Sequence, residues 1–224
     1  MQPAFFITGT DTGVGKTVLT ALLARYLRNR RVGVAAFKPV CSGGRADARA
    51  LHAALGGALT LAEINPWHFR AALAPALAAA REKKSVALTQ VLGHVRALQE
   101  NFTVTLMEGA GGLLTPLGKD FDSRDLTMAL RATPVIVAMN QLGAVNHLLL
   151  TLAALPEGFR AQAKVVLMSP PKPDAATASN AKLLAQFFPA ENILTLPWLG
   201  REFSLAAALK IPAVKRTLAA VVKA

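Results

Sequence analysis

Apolar residues along this chain fall into short unbroken runs, separated by stretches with helical spacing. Phe5-Phe6-Ile7 is such a run, and it stops at Gly9. Having no polar face, it reads as a strand covered on both sides. Positions 16–30 then carry Val18, Leu19, Leu22, Leu23 and Leu27 along one side, the spacing of an amphipathic helix. Further strands are predicted over 32–37, 102–107, 134–139, 164–168 and 193–196, and helices near 47–56, 86–100, 123–131, 143–155, 175–187 and 211–223. Strands alternating with helices predict an α/β fold, a mostly parallel sheet with helices on both faces. No linker or repeat interrupts the pattern, so residues 1–224 read as one domain.

Composition adjusts this picture only slightly. Hydrophobic residues make up 53% of the chain, enough for one sizeable core. No apolar run approaches the roughly 20 residues that cross a bilayer, so no membrane role is expected. The start, Met1-Gln2-Pro3, lacks the basic residues and cleavage site of a signal peptide, and the single Cys41 cannot form an intrachain disulfide. Both features fit a reducing cytoplasm. The formal net charge of +12 raises the question of an anionic partner. Its densest run, Arg28-Asn29-Arg30-Arg31, closes a predicted helix, where cations favour the dipole. No basic stretch interleaves with aromatics, and no nucleic-acid partner is expected.

Ligands of open parallel sheets bind beyond the carboxyl ends of the strands, and the polar signatures of this chain sit there. The first strand is followed by Gly9-Thr10-Asp11-Thr12-Gly13-Val14-Gly15-Lys16-Thr17 and then a helix. Closely spaced glycines let backbone N–H groups cradle phosphates, and the helix start adds a favourable dipole. Lys16 is suited to the outer phosphates and the Thr17 hydroxyl to Mg2+. This marks a P-loop NTPase-like domain, with Gly13, Val14, Gly15, Lys16, Thr17 and Val18 as the nucleotide-binding segment. The spacing is a variant, with Thr10 at the usual first-glycine position. Partitioning and nitrogenase-iron-protein ATPases share such loops but carry a signature lysine where this chain has Asp11.

After the second strand comes Lys38-Pro39-Val40-Cys41-Ser42-Gly43; after the third, Glu108-Gly109-Ala110-Gly111-Gly112; and later Leu142-Gly143-Ala144-Val145-Asn146-His147. In this order, behind a variant phosphate loop, the four motifs resemble the dethiobiotin synthetase family. The likeness spans most of the first 150 residues and weakens afterwards.

The resemblance implies an ATP-dependent cyclo-ligase. Carbon dioxide and an amine of 7,8-diaminopelargonate form a carbamate, ATP phosphorylates it, and the neighbouring amine closes a urea ring to give dethiobiotin, ADP and phosphate. It implies Lys16 and Lys38 as catalytic cations, and Thr17, Asp47 and Glu108 as Mg2+ ligands. Thr12 and Ser42 would meet the amine or carbamate end. Gly143 and Asn146, at a helix start, would receive the substrate carboxylate across a homodimer. Glu108, Gly109, Ala110 and Gly111 would pass close to phosphate or substrate, and Pro197-Trp198-Leu199 resembles the segment that flanks the base.

Three departures accompany the likeness. Ser169-Pro170-Pro171 stands where the family reads adenine with an Asn, so a relaxed nucleotide preference is expected, because a hydroxyl cannot make a bidentate amide contact. Ser204 stands where an acid is usual, with Glu202 two residues earlier. Ala72 and Ala76 replace a Pro and a His in the segment that keeps Pro75. The alternatives are the ATP-using domain of a cobyrinate amidotransferase, which would need a glutaminase partner, a regulatory or partitioning ATPase, and a silent nucleotide-binding relative.

Overall fold

In the computed structural model, which describes residues 2–223, the first apolar run lies in strand β1 (Ala4–Gly9), with Phe6 and Ile7 fully enclosed. The further strands are β2 (Val34–Phe37), β3 (Val40–Ser42), β4 (Trp67–Phe69), β5 (Val104–Gly112), β6 (Thr133–Met139), β7 (Lys164–Met168) and β8 (Ile193–Leu196). A parallel 6-stranded sheet runs in the order β2-β5-β1-β6-β7-β8. Successive strands leave β1 in opposite directions, β2 to one side and β6 to β8 to the other. Such a reversal opens a crevice at the carboxyl end of β1.

Helices α1 (Lys16–Asn29), α2 (Ala46–Ala54), α3 (Leu61–Ile64), α4 (Pro75–Arg81) and α5 (Leu88–Gln99) precede β5. After it come α6 (Ser123–Ala129), α7 (Ala144–Ala153), α8 (Glu157–Gln162), α9 (Ala175–Leu184), α10 (Leu205–Ala208) and α11 (Pro212–Val221). The period of two along β6 explains the layers. Val135 and Val137 join one buried cluster with Leu19, Leu22 and Leu23 of α1 and Val214 and Leu218 of α11. Ile136 and Ala138 join another with Leu148 and Leu152 of α7 and Leu184 of α9. Truncating a buried leucine such as Leu22 to Ala costs about 2–5 kcal/mol in settings of this kind. Among the described residues, no helix is long and apolar enough to cross a membrane.

Besides the short helices α3, α4, α8 and α10, which the pattern read along the chain does not predict, two features depart from it. The strand predicted over 102–107 starts at Val104 and continues through Gly112, which puts Glu108 inside β5, opposite Ile7. The ladder then slips, and Gly9 pairs with Gly112. Glycine permits this: a Cβ on Gly112 would lie 3.3 Å from the Gly9 carbonyl oxygen. The second feature is a small parallel sheet, β3 with β4, that stands beside the main one. Strands of three residues are too short to show a period.

Candidate functional site

The chain leaves β1 into the glycine loop, and the Thr10 N–H donates to the Val137 carbonyl at 3.0 Å, holding the loop against β6. Gly13 and Gly15 turn with φ of 77° and 102°, a region that disfavours side chains. A Cβ on Gly15 would also lie 2.8 Å from Met168 Cε, so the loop packs on the end of β7. Val14, expected in the nucleotide-binding segment, is buried toward Gly9 and does not border the cavity, while α1 begins at Lys16 with first-turn N–H groups that have no partner within the helix. Lys16 is 6% exposed, and its ammonium donates to the Asp11 carbonyl at 2.6 Å. Burial, and then the neighbouring Lys38 charge, lower its pKa to about 8.

Opposite stands a second buried lysine. Lys38 follows β2 directly and is 5% exposed. Its ammonium donates to Glu108 Oε1 at 2.7 Å and also bonds Asp47 Oδ2. Burial alone would pull its pKa down, but the charges and hydrogen bonds of Glu108 and Asp47 prevail, and the net shift is upward. Thr17 Oγ1 donates to the same Glu108 Oε1 at 2.7 Å. Asp47 reaches in from the first turn of α2 and stays 44% exposed at its side chain.

Glu108 Oε2 is buried without a hydrogen-bond partner. An unpartnered carboxylate oxygen is costly in a protein interior, and a hard cation is the partner that would offset it. Two carboxylates and a hydroxyl, all oxygen donors and next to a phosphate loop, suit Mg2+ with phosphate oxygens completing the shell. Among the described residues, no group of three or more His, Cys, Asp and Glu side chains is gathered for a metal held by protein alone.

These residues line one cavity of about 770 Å³. Thr12, Gly13, Gly15, Lys16, Thr17, Val18, Lys38, Ser42, Asp47, Glu108, Ala110 and Gly111 all border it. Ser42 does so with its hydroxyl donated to the Leu73 carbonyl, which ties β3 to the segment before α4. Ala72, Leu73 and Ala74 of that segment and Pro75 at the start of α4 border the cavity, and the Ala76 N–H fastens this stretch to the Pro116 carbonyl at 3.2 Å. Gly109 lies apart from the cavity: a Cβ there would sit 3.0 Å from Phe6 Cε1 and Ser123 Oγ, so this glycine serves core packing.

Other expected residues lie elsewhere. Gly143 is the left-handed cap of α7, and Asn146 is exposed one turn on; neither borders the cavity. Ser169 and Pro170 follow β7, and the Ser169 N–H donates to the Leu196 carbonyl at 2.9 Å. That bond brings Pro197, Trp198 and Leu199, just after β8, alongside them. Trp198 is 45% exposed. The Met168 contact with Gly15 links this end to the phosphate loop.

Sequence reasoning missed Thr115 and Asn65. Thr115 borders the cavity and accepts from the Gly112 N–H at 2.9 Å. A hydroxyl three residues beyond a glycine run was its only signal. Asn65 is fully buried beneath Lys38, and Asn before Pro reads as an ordinary turn.

Comparison with known proteins agrees with this arrangement. The AAA domain family model matches residues 3–201. The ATP-dependent dethiobiotin synthetase BioD of Anaeromyxobacter dehalogenans is 40% identical over 198 residues, spanning 86% of this chain and 89% of the relative. Its namesake from Methanococcus vannielii is 36% identical, over 65% of this chain and 69% of the relative. Among solved structures, MinD in the MinC:MinD cell division complex of Aquifex aeolicus superposes with a TM-score of 0.60 at 16% identity, covering 98% of this chain and 93% of that one. The pNOB8 ParA bound to nonspecific DNA gives 0.58 at 12% identity, covering 99% and 98%. At those identities the likeness speaks for the P-loop fold alone, whereas the curated relatives speak for the family. The chain belongs to the ATP-dependent dethiobiotin synthetase family.

Proposed function

We propose that this chain, acting as one domain, closes the ureido ring of dethiobiotin from 7,8-diaminopelargonate, carbon dioxide and ATP, releasing ADP and phosphate. One substrate amine attacks CO2 and loses a proton, giving a carbamate. A carbamate oxygen then attacks the γ-phosphorus, and the bond from that phosphorus to the β-phosphate oxygen breaks. The second amine attacks the carbonyl carbon of the mixed anhydride, expelling phosphate and losing a proton as the ring closes.

The chain's residues serve these steps by charge and position. The Gly13 to Val18 segment and the start of α1 hold the phosphates, and Lys16 follows their outer oxygens. Lys38 stands outside the loop and, with two of its three donors on Glu108 and Asp47, keeps the third for the carbamate and the γ-phosphoryl group, where two anions must be brought together. Thr12 and Ser42 face the amine and carbamate end. Thr17, Asp47 and Glu108 would hold Mg2+, which neutralises charge on the phosphates. Ser169, Pro170, Pro197, Trp198 and Leu199 flank the base. Gly143 and Asn146 take the substrate carboxylate for the partner of a homodimer, in a cytoplasmic enzyme that engages neither membrane nor nucleic acid.

The observation that supports this reading best is the second buried lysine in the cavity of a phosphate loop. Partitioning ATPases place their additional lysine early in the loop, where this chain has Asp11, whereas Lys38 follows β2, outside the loop, where a carbamate could meet the phosphoryl group. Mass spectrometry of the purified protein with ATP, Mg2+, bicarbonate and diaminopelargonate tests it. Dethiobiotin and phosphate are expected in the complete mixture and in none that lacks one component. ATP binding without product would overturn the reading.

A further inference from the structure

The side chain that fixes Lys38 belongs to a residue outside the cavity. Asn65, between α3 and β4, donates from Nδ2 to the Lys38 carbonyl oxygen at 2.8 Å and to that of Pro39 at 3.4 Å. The Lys38 N–H donates to the Ile64 carbonyl at 2.9 Å. Both peptide groups flanking the Lys38 Cα are therefore gripped by two consecutive residues. Asn65 also faces the other way. Its Oδ1 accepts from Arg45 Nε at 3.3 Å and from the Cys41 thiol at 3.3 Å, and its own carbonyl accepts from Arg45 Nη2 at 2.9 Å. Arg45 caps α2, whose first turn presents Asp47. One enclosed amide thus joins the backbone of the lysine to the helix that carries its carboxylate partner.

A buried amide with its donors and acceptor committed resists displacement, because moving it breaks several bonds at once in a low-dielectric interior. Neither Asn65 nor Arg45 borders the cavity. We infer that Asn65 and Arg45 are positioning residues, which together set Lys38 against Asp47 and so the geometry offered to the phosphoryl group and its cation. The inference rests on the roles given above to Lys38 and Asp47. The simpler possibility is that Asn65 only satisfies buried carbonyls. In that case its loss lowers the melting temperature but leaves the folded enzyme's rate and cation requirement alone.

Three variants separate these cases: Asn65→Ala, Arg45→Lys and, as a control on the site itself, Lys38→Ala. Arg45→Lys keeps the charge, but a single ammonium cannot donate along both guanidinium directions to the Oδ1 and the carbonyl. Being partly exposed, Arg45 also gives a variant that folds even if Asn65→Ala does not. Each is measured for kcat, for the KM of ATP, and for Mn2+ binding to the nucleotide complex by electron paramagnetic resonance without turnover. Positioning predicts that Asn65→Ala and Arg45→Lys each lower kcat about 10- to 100-fold, weaken Mn2+ binding by a comparable factor, and leave the KM of ATP near its wild-type value. Wild-type kcat and Mn2+ binding in Arg45→Lys, with Lys38→Ala inactive, would overturn the positioning role alone. Full activity of Lys38→Ala would overturn the site assignment and this inference with it.

Discussion

Two sides of the crevice are built on different terms. Beyond β1, β2 and β5, the charged groups Lys16, Lys38 and Glu108 are 6%, 5% and 1% exposed and bonded to each other or to backbone. Beyond β7 and β8, and at the start of α7, the expected ligand-facing groups lie open: Trp198 is 45% exposed and Leu142, next to Gly143, 86%. Bond-making requires charges held at fixed separation in a low dielectric, where each is worth most. Holding the distal ends of a substrate requires only surfaces that the ligand, or a second subunit, covers on arrival. The first side should therefore govern rate and the second affinity.

The largest expected effect falls on the buried side. Glu108→Gln keeps the shape but removes the charge that Lys38 and Thr17 share, and kcat should fall about 10²-fold or more. Steady-state rates across a Mg2+ titration check this; a wild-type rate at saturating Mg2+ would erase the proposed contrast.

The next effect is a pH dependence. Lys16, lowered to about 8, is charged below that pH and neutral above it, so phosphate binding should be strong at pH 7 and weaken toward pH 9. The change in ATP affinity should be about tenfold at most, and Lys16→Met should flatten it. Calorimetric titration at several pH values decides; a flat wild-type profile contradicts the assignment.

On the open side the effects shrink. Trp198→Ala should raise the KM of ATP about 2- to 10-fold with kcat nearly unchanged, as expected for one lost stacking surface. A fall in kcat of the size seen on the buried side would blur the distinction between rate and affinity. Smallest of all is base discrimination. With Ser169 offering a single hydroxyl, GTP and CTP should support turnover, at less than about 10²-fold discrimination. Product from ATP alone would show that other groups read the base.

The buried side was legible in the sequence and the open side much less so. A glycine loop set between an apolar strand and an amphipathic helix, and ending in Gly-Lys-Thr, points to phosphate binding from local residues alone. Lys38 and Glu108 were placed on one crest because strand ends of a parallel sheet converge, and their expected roles came from the family resemblance. The extent of β5 was hidden, because Gly109 to Gly112 read as a loop when seen without the neighbouring β1. Ser42 illustrates another limit: its hydroxyl donates to the Leu73 carbonyl, a long-range contact that no local pattern reports, and only its oxygen is left to accept from a substrate amine. Asn65 shows the same limit more sharply. The positioning role inferred for it rests on partners 20 to 27 positions away.

The most direct measurement compares Lys38→Ala with the wild type in the complete mixture of ATP, Mg2+, bicarbonate and diaminopelargonate, with ATP binding measured alongside. Dethiobiotin from the wild type, and at least about 10²-fold less from a variant that still binds ATP, is the predicted result. Equal product from both would show that the second buried lysine takes no part in joining carbamate to phosphate.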